Sequence, residues 1–181
     1  MKHHWFLLSL SVLSQIMYAQ TKVAQESVNL GSVRLYLGQS RTDVLASMAS
    51  AQYQLTAVGE GKTNYGVYLQ TGGKFALVGN IAFTNDRLTF INKDWNPDES
   101  SDYDLAKAIF FASKSLNEQD CESVRLTTSS NDQRSGQIRT AVLSCVGTHR
   151  RFEITAFDLD RSNPTGQQKA ASLSEILQLE K

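Results

Sequence analysis

Histidine, cysteine and proline are scarce in this chain of 181 residues, which holds three, two and two of them. Two of the histidines, His3 and His4, lie in the N-terminal segment, which leaves His149 for the rest of the chain. A zinc site with several histidine ligands is therefore excluded within one chain. A Ser-His-Asp triad would have to use His149, and no G-x-S-x-G motif supplies its serine. The composition thus argues against a histidine-based catalytic centre.

Net charge is also absent, because 18 Lys and Arg balance 18 Asp and Glu. Nucleic-acid affinity comes largely from cations that neutralise phosphates, so we expect no nucleic-acid partner. Gly61-Lys62-Thr63 has the last residues of a phosphate-binding loop, but Thr56 stands where that motif needs its first glycine. We therefore expect no cofactor.

Residues 5–19 form an apolar run without an ionised side chain, and Lys2 precedes it. A basic start, a short apolar core and a small residue such as Ala19 are typical of a secretory signal peptide. The run is shorter than the roughly 20 residues of a membrane-spanning helix. We therefore expect residues 1–19 to be removed, leaving a periplasmic or secreted protein with no stable membrane span.

Export gives the two cysteines a role. In an oxidising compartment an even number of cysteines favours a disulfide, here between Cys121 and Cys145. If the polar loop Asn131 to Gln137 closes a hairpin centred near Gln133, the two cysteines face each other across antiparallel strands. Opposed residues in such a pair are within disulfide reach. Hairpin and disulfide therefore support each other.

Three segments begin with a helix-capping pattern, at Ser40, Ser101 and Ser172, and each has an acid three residues later. The second segment carries an apolar stripe at helical spacing, formed by Leu105, Ile109, Ala112 and Leu116. The spacing predicts helices after each cap. The last of them is the C-terminal helix.

Strand patterns lie between these helices. The clearest is a hairpin from Phe75 to Lys93 with Asn85-Asp86 as its turn, which puts Phe83 opposite Leu88 and Ile81 opposite Phe90. The pattern predicts an α+β fold with helices packed on one face of an antiparallel sheet, in two similar helix-then-strands halves. The predicted segments are 20–98 and 99–160 for the two halves, and 161–181 for a linker and C-terminal helix.

Five side chains are candidates for a binding surface. Phe111 lies off the apolar stripe of the second helix, and Trp95 flanks an acidic stretch. Arg139, Arg150 and Arg151 belong to a segment, 134–151, that holds four arginines and no acid. Each has a structural alternative: a helix buried on two sides for Phe111, a residue at the margin of the core for Trp95, and a basic strand edge that discourages aggregation for the arginines.

The acidic stretch 94–104 offers a different chemistry. Asp94, Asn96 and Asp98 match the first three ligand positions of an EF-hand loop, but Glu99 stands where that loop needs glycine. An irregular, weak Ca²⁺ site that uses Asp94, Asn96, Asp98 and Asp102 remains open. So does a carboxylate-based hydrolase, although carboxylates in a polar loop are hard to tune. The structural alternative is a solvated loop that caps the next helix.

Residues 38–44, GQSRTDV, resemble the G-x-[ST]-x-x-[ED]-V opening of the SmpA/OmlA family of small exported proteins. The resemblance implies a BLIP-like fold of helices on an antiparallel sheet, and a protein-binding role without catalysis. The chain departs from the family in having no lipidated cysteine after the signal peptide. We therefore expect an exported, non-enzymatic binding protein whose partner is another protein or an extracytoplasmic surface ligand.

Overall fold

The computed structural model describes residues 26–95, 105–118, 121–133, 136–159 and 170–179. The predicted signal peptide and the predicted linker lie outside these ranges. In chain order the elements are β1 (Ser27–Leu30), β2 (Val33–Tyr36), α1 (Arg41–Ser50), β3 (Tyr53–Val58), β4 (Asn64–Thr71), β5 (Lys74–Thr84), β6 (Arg87–Asp94), α2 (Leu105–Asn117), β7 (Val124–Gln133), β8 (Gly136–Cys145), β9 (Arg150–Leu159) and β10 (Ala170–Gln178). None of the helices in these ranges is long and apolar enough to cross a membrane.

Eight of the strands form one antiparallel sheet in the order β3-β4-β5-β6-β10-β9-β8-β7, and β1 and β2 form a separate hairpin. The C-terminal strand β10 lies between β6 and β9, and it pairs with both of them. It therefore joins the strands that precede α2 to the strands that follow it. Within the described residues, β3 and β7 are the two edges.

The predicted α+β fold is wrong, because 61% of the structure is strand and only 17% is helix. The described residues hold two helices, which are short and do not make a layer. Nor are there two similar helix-then-strands halves, since β10 makes the sheet continuous from β3 to β7.

The predicted C-terminal helix is also wrong, because residues 170–178 form β10. A helix here would bury one narrow stripe, whereas β10 bonds to strands on both sides and buries Leu173, Ile176 and Leu177. Packing against two neighbours outweighs the local capping pattern at Ser172. By contrast, the cap at Ser40 is confirmed: its side chain accepts from the backbone N–H of Asp43 at the start of α1.

The β5–β6 hairpin confirms the predicted turn and half of the predicted register. Asn85 and Asp86 both have positive φ, as a two-residue type I′ turn requires. Phe83 faces Leu88, but Ile81 faces Ile91 and not Phe90, because a β-bulge follows Ala82. A bulge places two residues opposite one and shifts every later pair.

Both apolar cores lie on one face of the sheet, called here the covered face. The first core joins the β1–β2 hairpin and α1 to strands β4, β5 and β6, and it includes Ile91 and Leu177. The second joins Ala108, Ala112 and Leu116 of α2 to strands β8, β9 and β10, and it includes Leu173. Since Leu173 and Leu177 are four residues apart on β10, they point to the same side. The two cores therefore meet along β10.

The predicted disulfide between Cys121 and Cys145 is confirmed, and their Cα atoms are 5.7 Å apart. The predicted register of its hairpin is wrong. Gln133 pairs with Gly136, and Cys145 faces Val124. Cys121 therefore lies before β7, and the disulfide ties the segment after α2 to the end of β8.

Candidate functional site

An open groove lies on the covered face between α2 and the edge strand β7, and is called here the α2–β7 groove. Its volume is about 460 Å³, within the range of small-molecule sites. It is lined by Ile109, Leu126, Thr128, Ser129, Ser130, Arg139, Thr140, Ala141 and Leu143.

The floor of the groove changes from apolar to polar along the strands. Register places Leu126 opposite Leu143, Thr128 opposite Ala141, and Ser130 opposite Arg139. These three rows are two residues apart, so all of them face the same side, and they span about 13 Å. One end of the groove is therefore apolar and the other carries a hydroxyl and a guanidinium.

The groove exists because α2 does not extend over the edge of the sheet. The helix contacts mainly β8, β9 and β10. Leu126 on β7 consequently stays 62% exposed, and Ile109 on α2 stays 40% exposed. Val124, two residues before Leu126 on the same face, is also exposed. Leu126 and Ile109 line the same groove, and exposed apolar side chains that lie together are a feature of binding surfaces.

Phe110, and not the predicted Phe111, is the exposed aromatic side chain of α2. Phe110 is 63% exposed, while Phe111 is partly buried against the second core. The buried stripe runs through Ala108, Ala112 and Leu116. At about 100° per residue, Phe111 lies a quarter-turn from Ala112 and Phe110 lies on the far side. A helical wheel centred on Ala112 would have identified Phe110 from the sequence.

Arg139 is the one charged residue among the described residues that line the groove. Its Nε donates to Oε1 of Gln137, two residues away on β8, at 2.8 Å. This bond is one of the contacts that orient the guanidinium at the polar end of the groove. The predicted residue therefore does lie at a candidate binding site, although its predicted companions do not.

Arg150 and Arg151 lie away from Arg139, and the structure does not bring the three arginines together as one edge. They belong to β9, an interior strand of the sheet. Arg150 points to the covered face, where it is largely buried. Arg151 points to the opposite face and donates to Oε1 of Gln178 at 2.9 Å. Alternation along a strand separates neighbouring side chains in this way.

A buried ionic cluster lies on β6, β9 and β10 where the two cores meet, and it consists of Lys93, Trp95, Arg150 and Glu175. Glu175 forms an ion pair with Arg150, and the two side chains are 6% and 11% exposed. The indole Nε1 of Trp95 donates to Oε2 of Glu175 at 3.3 Å, and the Nζ of Lys93 lies 4.3 Å from the Trp95 ring centroid. Trp95 thus lies at the margin of the core, which is the structural alternative to a binding role.

Burial governs the electrostatics of this cluster. It lowers the pKa of Lys93, and the positive charge of Arg150 lowers it further. Burial also lowers the pKa of Arg150, against the opposing attraction of Glu26. Arg150 also donates to the backbone oxygen of Ser27 at 2.6 Å, which ties the β1–β2 hairpin to the sheet. The carboxylate of Glu175 accepts from both Arg150 and Trp95, so the role of the cluster is to connect elements of the fold.

Glu175 was not predicted as a buried residue, because the capping pattern at Ser172 placed it in the first turn of a helix. Its position in β10, between Leu173 and Leu177, puts it on the covered face. A charged residue in phase with buried leucines of a strand is a signal for a buried ion pair, since buried charges must be paired. That signal becomes visible only once the segment is known to be a strand.

Of the acidic stretch, the structure describes Asp94, whereas Asn96, Asp98 and Asp102 lie outside the described residues. Within the described part of the chain, no group of three or more His, Cys, Asp and Glu residues could hold a metal ion. His149 lies with its Nδ1 3.3 Å from a carboxylate oxygen of Glu26, and its backbone N–H donates to the same carboxylate. The histidine thus links the β8–β9 turn to the segment before β1.

A second cavity, of about 740 Å³, lies at the end of the sheet formed by β4, β5 and β6. Amides, hydroxyls and aromatic rings line it, among them Asn64, Asn80 and Phe90. Its described lining holds no Asp, Glu, Lys, Arg or His. It thus presents no charged group to a ligand, in contrast to the α2–β7 groove.

Comparison of the chain with family models, with curated proteins and with solved structures finds no match in any of the three.

Proposed function

We propose that the chain is an exported, non-enzymatic binding protein whose ligand docks in the α2–β7 groove. The observation that carries the proposal is the exposure of Leu126 and Ile109 on the two sides of one groove. Exposed leucine and isoleucine side chains that face each other lose contact with water when a ligand enters, at about 25 cal/mol per Å² of apolar area. Covering the groove with a ligand is therefore favourable in free energy.

The exported location rests on two features of the chain. Residues 1–19 have the layout of a signal peptide, and structural disulfides such as that between Cys121 and Cys145 persist in oxidising compartments. The resemblance of residues 38–44 to the SmpA/OmlA opening supports the same kind of role, that of a small periplasmic or secreted binding protein.

Site-specific photo-crosslinking in the native host tests the proposal. A benzophenone amino acid replaces Leu126 in one variant and Phe75 in another. Phe75 is a matched control, because it is similarly exposed at 54% but lies on β5, far along the sheet from β7. We expect a defined adduct at position 126 and none at position 75.

Adding Ile109→Asp to the crosslinking variant places a charge on the opposite side of the groove, and it should reduce the adduct strongly. The proposal fails if position 126 gives no adduct, if position 75 gives the same adduct, or if Ile109→Asp leaves the yield unchanged. Thermal melting of the Ile109→Asp protein checks that the fold is retained. We expect it to be retained, because Ile109 is exposed.

A further inference from the structure

We infer that the second cavity, of about 740 Å³, binds a short neutral saccharide. The inference goes beyond the proposed function and is independent of it, because the α2–β7 groove lies on other strands and on the covered face. It rests on a row of side chains across four strands that combines an aromatic ring with amides, in a described lining that holds no charged residue.

The cavity lies on the face of the sheet opposite to the covered face, called here the open face. Ile81 and Ile91 belong to the first core, which is on the covered face. Side chains alternate along a strand, so Asn80 and Ala82 on β5 and Phe90 on β6 point to the open face. All three line the cavity. The cavity is therefore separate from the two apolar cores.

Register aligns four residues of the described lining, one on each of the strands β4, β5, β6 and β10. Asn64 faces Ala82, which in turn faces Phe90. Gln178 faces Phe90 from the other side. The row crosses three intervals between strands, which together span about 14 Å. Two linked pyranose rings fit along a row of this length.

Phe90 supplies an apolar surface near the middle of the row. Its side chain is partly buried, and its neighbour across the strand pair, Ala82, is small and leaves space beside the ring. The face of a pyranose ring that carries C–H groups is apolar, and it packs on the negative face of an aromatic ring. A sheet offers this kind of surface on one side of a ligand, which suits a sugar ring better than a planar base that stacks on both sides.

Side-chain amides lie around that aromatic ring. In the described part of the chain, the amides of Asn64 and Asn80 form no hydrogen bond. The Oε1 of Gln178 accepts from Arg151 at 2.9 Å, which leaves the Nε2 of Gln178 as a donor. A side-chain amide both donates and accepts, and so does the hydroxyl of a sugar. Amides that surround an aromatic ring therefore match the hydroxyls at the periphery of a pyranose.

The charge of the site favours a neutral ligand. The described lining holds no Asp, Glu, Lys, Arg or His, so a charged ligand would lose hydration there without gaining a counter-charge. Arg151 borders the row through its bond to Gln178, but it lies on β9, outside the described lining. Glu153, two residues further along β9, points to the same face with the opposite sign. A neutral saccharide needs neither of these charges.

Calorimetry on the full, disulfide-bonded chain tests the inference with three neutral disaccharides: cellobiose, maltose and N,N′-diacetylchitobiose. Chitobiose without its acetyl groups is the cationic counterpart, and a sulfated cellobiose is the anionic one. We expect at least one neutral disaccharide to bind, and each charged counterpart to bind more weakly than its neutral form.

Two variants remove the proposed contacts. Phe90→Leu should weaken binding of that disaccharide by about threefold to tenfold, the effect of losing an aromatic contact. Asn64→Ala should weaken it by a similar factor, about that of one hydrogen bond. Asn64 is exposed, so this variant should keep its fold and decides the question if Phe90→Leu melts at a lower temperature.

Each variant has a matched control outside the described lining. Phe75→Leu removes an aromatic ring on β5 that is 54% exposed. Gln54→Ala removes an exposed side-chain amide on β3, next to β4. Both controls should bind the disaccharide like the wild type.

Three calorimetric results would overturn the inference: no heat with any neutral disaccharide, tighter binding of a charged counterpart, or wild-type affinity in both Phe90→Leu and Asn64→Ala. A disaccharide that abolishes the crosslinked adduct at position 126 would also overturn it, because the sugar would then occupy the α2–β7 groove. Failure of the proposed function is a separate result, since it appears as the absence of that adduct without any sugar.

Discussion

Replacing Glu175 by leucine tests the buried ionic cluster. The substitution introduces an apolar side chain of similar size, and it leaves the guanidinium of Arg150 without the carboxylate of Glu175 and the Nε1 of Trp95 without its acceptor. Removing one partner of a buried ion pair costs about 3–5 kcal/mol, because the other charge remains desolvated. For a domain of this size, that loss lowers Tm by roughly 10 °C or more.

The second arm of this experiment is the double variant Glu175→Leu, Arg150→Met. A buried pair replaced by apolar side chains of similar volume is often neutral for stability, so the double variant should recover most of the loss. Urea unfolding, followed by circular dichroism and by fluorescence, measures the free energy of each variant. Glu153→Leu is the control, since Glu153 lies on β9, the strand of Arg150, but on the opposite face, and it should change stability by less than about 1 kcal/mol.

The reasoning is refuted if Glu175→Leu is as stable as the wild type, or if the double variant is no more stable than the single one. The first result would mean that the Arg150 charge reaches water or another acid. The second would mean that the loss comes from packing of β10 and not from an unpaired charge.

Three further predictions concern stability. Cys121→Ser opens a loop with a sequence separation of 24 residues, and should cost about 3 kcal/mol in urea unfolding; a wild type insensitive to reductant would contradict this. Burial holds the pKa of Lys93 below 10.5, so in the alkaline range the unfolded chain keeps a proton that the folded chain has lost. Between the lowered pKa and 10.5, the free energy of unfolding of the wild type should therefore rise with pH when compared with that of Lys93→Met. If the difference between the two proteins does not change with pH, the charge of Lys93 is not buried. Gly79→Ala would place its Cβ 2.1 Å from the backbone oxygen of Asn92, so we expect the free energy of unfolding to fall by about 1–3 kcal/mol. An unchanged free energy of unfolding would contradict this prediction.

Two local signals in the sequence predicted local structure correctly, whereas the capping pattern at Ser172 did not. The cap at Ser40 and the turn at Asn85-Asp86 depend only on residues next to each other in the chain, and both are confirmed. The disulfide is also confirmed, and its prediction used the even number of cysteines and the expected export without any knowledge of register.

Long-range pairing was not predictable in the same way. Residues 170–178 look like a short helix until β6 and β9 are present to pair with them. The bulge after Ala82 shifts the register of β5 and β6 by one residue, and the hairpin pattern of the sequence does not predict it. The predicted fold class was wrong for the same reason. The predicted C-terminal helix is the central strand β10, which joins the two predicted halves into one sheet.

The candidate site was predictable in part. Arg139 was singled out for its charge, and it lies in the groove. Leu126 was not singled out, because a leucine in a strand is expected to be buried and only the position of β7 at the sheet edge exposes it. Edge position is a property of topology, which the sequence pattern does not carry.

Native mass spectrometry of the protein purified without denaturation from its own host tests the proposed export and the proposed ligand together. We predict a chain that has lost residues 1–19 and two further hydrogens through the Cys121–Cys145 bond, and that carries a bound ligand which Leu126→Ser no longer retains. A chain that still begins at Met1, or a Leu126→Ser variant carrying the same load as the wild type, would contradict the account.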